Sequence, residues 1–280
     1  MSLPRGSRPA WDVVQIARHE ARPYALDFIT RLSPGFVELC GDRLTGDDRA
    51  LVAGVGRWLG QTTFFLGQQK GRTLGERVMR NFGMMHPEGY RKALRVARQA
   101  AKFGRPLISL VDTPGAYPGV EAEERGIATA IATAILDFFK LRAPIVSVVI
   151  GEGGSGGALG LAIADRVLML ENAIMSVASP EACASILWRD AAFKVEAAEQ
   201  LGITAPELYE MGLVDDVVPE PPGGAHTDHE AAADALDRCL RVHMDGLTGL
   251  ATDELLERRY ERFRRIGVEL DWEASPQRAS

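Results

Sequence analysis

Read for its apolar spacing, the chain begins with "RPAWDVVQIARHEARPYALDFITRL", helical in pattern but interrupted at Pro23, which predicts two short helices in succession. "ALVAGVGRWLGQTTFFLGQQ" follows as two extended runs meeting at Leu59-Gly60, a hairpin signal. "HPEGYRKALRVARQAAKFG" carries all the marks of a helix. Pro87 suits the first helical position, Glu88 the first turn, and Gly104 the position just past the end. Two modules of one design come next. "RPLISLVDTPGAYPG" is an apolar strand running into a turn-rich loop, followed by a helix read over "VEAEERGIATAIATAILDFFKLR", where Ile127, Ile131, Ile135 and Phe138/Phe139 recur at helical steps. "APIVSVVIGEGGSGG" repeats the scheme, leading into "ALGLAIA" and the strand "RVLMLE". Near-continuous apolar strands are expected where a parallel sheet is covered on both faces. Strand, crossover helix and parallel strand therefore predict an α/β architecture. Beyond Ser179-Pro180 the pattern turns mostly helical, with one short strand at Val214–Val218 and a closing amphipathic helix, "DELLERRYERFRRIG", with a basic face. Without a long linker or a repeat, one domain over residues 1–280 is the simplest organisation. Residues 1–45 then form N-terminal helices, and residues 246–280 a peripheral helix and tail.

Composition narrows the classes. The 280 residues suffice for a large core, and 46% hydrophobic with 25% charged residues is ordinary for a soluble globular chain. A formal net charge of −6 argues against bulk binding to nucleic acid or an anionic membrane. Cys40, Cys183 and Cys239 are odd in number and widely spaced, giving neither a disulfide framework nor a zinc ribbon. With no secretory leader pattern and no apolar run of the ~20 residues a membrane span needs, a cytoplasmic location is expected.

The candidate chemistry sits in "GEGGSGGALG", Gly151 to Gly160, where six of ten residues are glycine. Gly151-x-Gly153-x-x-Gly156 formally matches a dinucleotide fingerprint, with Glu171 near the expected ribose-binding position. However, "ENAIMSV" leaves only a tight turn after Glu171, where a Rossmann half needs another crossover helix. A second reading is an oxyanion-type hole. The first N–H groups of a helix lack internal partners, and glycines at Gly156 and Gly157 would let a ligand oxygen reach them. One well-aimed donor of this kind supplies roughly 2.7–4 kcal/mol of transition-state stabilisation. The plainer alternative is a tight strand-to-helix turn. The companion loop "DTPGAYPG" would open at the same sheet edge if the two strands are parallel neighbours, the usual place for an α/β site.

On "GQQKGR", "NFGMMHPEGYRKALR", "DTPGAYPGVEAEERG", "IGEGGSGGALG", "SPEACASILW" and "EPPGGAH", in that order between about Trp11 and His226, the sequence resembles the carboxyltransferase alpha subunits of bacterial-type acetyl-CoA carboxylase. The resemblance implies an α/β fold of the crotonase-like type, a spiral of repeated ββα units with peripheral helices. It implies transfer of a carboxyl group from carboxybiotin, borne on a biotin carboxyl carrier protein, to acetyl-CoA, giving malonyl-CoA for fatty acid synthesis. It also implies an α2β2 assembly in which a β subunit holds the thioester, with biotin carboxylase in the larger complex and no metal on this chain. The family's alpha-side oxyanion hole falls on Gly156 and Gly157, with Gly153, Gly154, Gly115 and Ala116 as expected biotin-side contacts.

The sequence departs from the family pattern at Gln68, where His is usual, in a missing N-terminal helical extension, and after about Asp245. Lys70 and Arg72 could line the site or fix a loop. Arg91, Lys92, Arg95, Arg98 and Lys102 read as a solvated helix face, with a CoA phosphate contact as the alternative. The five histidines read mostly as surface or loop residues. Two other functions stay open: a self-sufficient acyl-CoA hydratase or hydrolase, and a non-catalytic subunit that binds RNA through the basic C-terminal helix.

Overall fold

The computed structural model describes residues 8–267; the first seven residues and the tail beyond 267 lie outside the described residues. Eight strands form one mixed sheet: β1 (Val37–Glu38), β2 (Leu51–Trp58), β3 (Gln61–Gln68), β4 (Leu107–Thr113), β5 (Ile145–Gly154), β6 (Arg166–Leu170), β7 (Ile174–Ser176) and β8 (Asp216–Val218). Their order is β1-β2-β3-β4-β5-β6-β8, with β7 also paired to β5. β2 and β3 are antiparallel around Leu59-Gly60, both at positive φ (51° and 76°), the conformation a tight primed hairpin turn requires. From β3 onward the pairings are parallel.

β4 and β5 are buried along their whole lengths, and the apolar runs of the sequence form the centre of the core. β5 is long enough to serve two partners. Val146–Val149 pair with β6, and Glu152–Gly154 pair with β7. On its other edge the register with β4 shifts, Val111 facing Val149 but Thr113 facing Gly153. Such an irregularity bends the strands and re-aims side chains, here at Asp112 and Glu152.

The helices behave largely as their end signals predict. Pro23 separates Ala10–Ala17 from Ala25–Leu32, and Pro87 opens the helix Pro87–Lys102, with Gly104 past its end at φ 58°. The helix expected over "VEAEERGIATAIATAILDFFKLR" is two, Val120–Glu124 and Ile127–Phe139, because Gly126 adopts a left-handed conformation between them (φ 76°). The N-terminal segment is tied deep into the molecule: Ala25, Phe28 and Ile29 are fully buried in the main core.

Two faces expected to be solvated are so only in part: Arg98 and Lys102 are exposed on the first, and Arg258, Arg264 and Arg265 on the second, but their neighbours turn inward. Lys92 is fully buried, its ammonium donating to the Leu51 carbonyl at 2.8 Å and pairing with Asp47 at 2.8 Å. Arg95 spends its guanidinium on the carbonyls of Gly41, Leu39 and Cys40. On the C-terminal helix Thr252–Arg264, Arg259 is fully buried. It grips both oxygens of Asp165 at 2.8 Å and donates to the carbonyls of Phe138, Leu141 and Ala143. Arg262 is likewise held by Asp215 and the Leu213 carbonyl. That helix is a wall of the fold: Arg259 and Arg262 face inward, while Arg258, Arg264 and Arg265 stay exposed.

Candidate active site

The glycine run ends β5 and starts the helix Ser155–Ala162. Gly153 and Gly154 are the last buried strand residues, whereas Gly156 and Gly157 occupy the first helical turn. No side chain caps this helix, and the first amides of any helix lack intrahelical acceptors. Ser155 makes the turn at φ 48°, a left-handed conformation that costs a serine on the order of 1–3 kcal/mol.

The two glycines of the pair differ. A Cβ on Gly157 would overlap the carbonyl carbon of Gly115 and stand 2.7 Å from the Ala116 nitrogen, so only glycine lets the helix lie against the companion loop. A Cβ on Gly156 would meet nothing closer than Ile131, at 3.7 Å. Gly154 is pressed in the same way against the Pro114 carbonyl, while Gly153 backs onto Met175. The structure thus brings Gly115 and Ala116 beside Gly157, in two loops that open at one edge of the sheet, because β4 and β5 are parallel neighbours. The close approaches at Gly153 and Gly154 are to the protein's own chain.

Below this edge runs a chain of charges. Lys70 sits 2.8 Å from Asp112 at the end of β4 and 2.8 Å from Glu152 near the end of β5. The Glu152 amide donates to Asp112 Oδ1 at 2.9 Å. Arg18 reaches over from the N-terminal segment, holding Glu152 at 2.7 Å and Glu181 at 2.7 Å. Burial opposes a charge on Glu152, but the neighbouring Lys70 and Arg18 override it and bring its carboxyl down to about 2. Burial likewise opposes the Lys70 charge, and the two carboxylates more than compensate, pushing its ammonium above the ordinary lysine range. Gln68, fully buried, joins the same edge: its Oε1 accepts from the Asp112 amide at 3.1 Å and its Nε2 donates to the Gly157 carbonyl at 2.8 Å.

A second knot backs the first. Arg22 donates to the Ile150 carbonyl at 2.7 Å and pairs with Glu220, which also accepts from Asn172 and Ala225. His226 is half-buried and stacked on His19, with ring centroids 3.9 Å apart, so these two histidines are packing partners. Glu171, the would-be ribose ligand, accepts from the Glu220 amide instead. Arg72 points away from the glycine pair, to Asp27 and the carbonyls of Glu20 and Arg22. Among the described residues no group of three His, Cys, Asp or Glu side chains is placed to hold a metal, and no helix is long and apolar enough to cross a membrane.

Beside Ser155 opens a cleft of about 320 Å³ with an almost wholly apolar lining that includes Leu159, Met175, Val177, Ile203, Met211 and Phe263. Val177 on its lining is 80% exposed, and on the helix Pro180–Trp188 Ile186 and Leu187 are 74% and 63% exposed.

Residue-by-residue reading of the sequence missed Asp112, Glu152, Arg18 and Glu181. A signal was present for the first two. Each carboxylate closes an apolar run, "ISLVD" and "VVIGE", at equivalent points of adjacent parallel strands, and two acids at one buried edge call for a cation.

Comparison with known proteins bears on this geometry. A family model described as acetyl co-enzyme A carboxylase carboxyltransferase-like matches residues 7–267. The acetyl-coenzyme A carboxylase carboxyl transferase subunit alpha of Deinococcus radiodurans is 54% identical over 258 residues, covering 92% of this chain and 82% of the relative. That of Halalkalibacterium halodurans is 52% identical over 262 residues, covering 94% and 81%. Among solved structures, a Pseudomonas malonate decarboxylase hetero-tetramer in complex with coenzyme A superposes with a TM-score of 0.66 at 20% identity, covering 86% of this chain and 96% of the other. Transcarboxylase 12S gives 0.64 at 21% identity, covering 88% and 46%. These likenesses show the crotonase-like carboxyltransferase fold, and the sequence matches go further: the chain belongs to the family of acetyl-CoA carboxylase carboxyltransferase alpha subunits.

Proposed function

We propose that this chain is the biotin-side half of a cytoplasmic carboxyltransferase. Paired with a β subunit as α2β2, and served by a biotin carboxyl carrier protein and biotin carboxylase, it moves a carboxyl group from carboxybiotin to acetyl-CoA, giving malonyl-CoA. The observation that carries this reading is the uncapped start of the helix Ser155–Ala162, where Gly157 lies flush against Gly115–Ala116 and Gly156 stays open. The names of the relatives support the same reaction.

As a substrate delivered by another protein, carboxybiotin supplies the carboxyl group and, through its ureido nitrogen, a base for the proton of the acetyl methyl group. What this chain contributes is a donor set. The amides of Gly156 and Gly157 point their partial positive charge at a ureido oxygen as negative charge collects there. The exposed apolar side chains of Val177, Ile186 and Leu187 support docking of the β subunit against this chain.

A self-sufficient hydratase would need a free carboxyl group as acid or base. Asp112 and Glu152, the acids at this edge, are both committed to Lys70. The test is carboxyl exchange between malonyl-CoA and biocytin. The chain alone is expected to be silent and its mixture with a cognate β subunit active. Gly157→Pro, which deletes one donor, is expected to lower kcat by at least roughly 10²-fold. Turnover by the lone chain, or a folded and fully active Gly157→Pro, would overturn the reading.

A further inference from the structure

We propose that Gln68 is a positioning residue for the glycine pair, acting on the Gly157 peptide from behind; this rests on the proposed role of that pair. The parallel ladder between β3 and β4 ends at Gly67 facing Leu110. Past that point the connection is continued by one side chain. The fully buried amide of Gln68 takes the Asp112 N–H at 3.1 Å on its oxygen and gives its own N–H to the Gly157 carbonyl at 2.8 Å. It therefore spans the end of one strand and the first turn of the helix that starts after the next. These are the two segments whose meeting, Gly115–Ala116 against Gly157, shapes the hole.

The chemistry required is narrow. The bridging group must be neutral and planar, with an acceptor on one side and a donor on the other, so that neither buried backbone group is left unpaired. A glutamine amide satisfies this, as does a neutral imidazole. A carboxylate fails, because it sets an oxygen against the Gly157 carbonyl. Leucine fails on both sides. Lys70 works beside it on the same two strands, but through charge and on the side chains of Asp112 and Glu152, so it fixes the strand ends without touching the glycine. A helix start that slides by even about 1 Å points its donors away from the reacting oxygen, and a misplacement of that size costs on the order of 10² in rate.

The experiment is malonyl-CoA/biocytin exchange with the assembled complex, comparing Gln68→Glu, Gln68→Leu, Gln68→His and Gly157→Pro, each checked for assembly by gel filtration and for folding by thermal melting. Gln68→Glu and Gln68→Leu are expected to lower kcat by roughly 10- to 100-fold with KM for malonyl-CoA unchanged. Gln68→His is expected to restore kcat to within a few-fold of the parent. If both substitutions keep kcat within twofold while Gly157→Pro is silent, the positioning role is wrong and the glycine site stands. If the loss of rate only tracks a loss of folded or assembled protein, Gln68 is structural and the inference falls. If Gly157→Pro itself remains active, the failure lies with the function proposed for the pair.

Discussion

Two of the ionic clusters beneath the surface of this protein are built to different ends. At the C-terminal helix, Arg259 is sealed from solvent, grips Asp165 with two nitrogens and uses the rest of its donors on three carbonyls. At the sheet edge, Lys70, Asp112, Glu152, Arg18 and Glu181 form an open chain that runs from 3% exposure at Asp112 to 35% at Glu181. The closed clamp joins one helix to the core at one point. The open chain joins an N-terminal helix and two strand ends whose loops meet at Gly157. None of the residues in the clamp has a positive φ, whereas Ser155 beside the open chain does. The first cluster spends every donor of Arg259 on buried acceptors, and strain is stored next to the second.

The contrast is sharpest under mutation. Arg259→Leu should be the most damaging change, because it strands Asp165 without a partner in the interior. A loss of about 3–5 kcal/mol is expected, read by urea unfolding, and Arg259→Lys should recover little because one ammonium cannot replace a fork of five donors. Lys70→Met comes next. It leaves two buried carboxylates facing each other, of which only Glu152 keeps a cation, Arg18, for a loss of about 1–3 kcal/mol. Unlike the clamp mutant, its folded fraction should show an exchange rate at least roughly tenfold down, since the loop ends move.

Acid should separate the clusters without mutation. Glu152 is held at about 2, below its unfolded value of 4.5. Its contribution is therefore complete above pH 4.5 and drains away as the pH falls toward 2. Exchange activity and the protection of amides 112–119 against hydrogen exchange are expected to fade across that window. Glu152→Gln should weaken the pH dependence without abolishing it, because, against the effect of burial, Arg18 also holds the Glu181 carboxyl below its ordinary range. The smallest effect is at Ser155. Replacing it with glycine relieves the left-handed backbone but adds freedom to the unfolded chain, so stability should rise by no more than about 1 kcal/mol, measurable as a small rise in Tm.

What the sequence revealed and what it hid follow the same division. Local signals were legible: Pro23 and Pro87 set helix boundaries, Leu59-Gly60 turned the hairpin, and the glycine run marked where a helix meets a strand end. Gly126 was overlooked because apolar spacing continues on both of its sides, although its left-handed φ breaks the helix. The long-range charges were invisible for a deeper reason. Arg259 and Asp165 stand 94 residues apart, and Lys70 and Glu152 82 apart, so nothing in either neighbourhood announces a partner. Lys92 sits on the polar side of its helix by spacing alone, and only the loop carrying Asp47 and Asp48 turns that side into an interior. Gln68 gave a hint as a departure from the family residue, but its two bonds need the packed sheet to exist.

If the proposed β subunit covers the exposed apolar side chains of Val177, Ile186 and Leu187, they also set terms for how this polypeptide must be produced. A molecule carrying such a face and lacking its mate will find other copies of itself. Synthesis in step with that mate then becomes a condition of solubility, and a surplus should accumulate as aggregate rather than as a reserve.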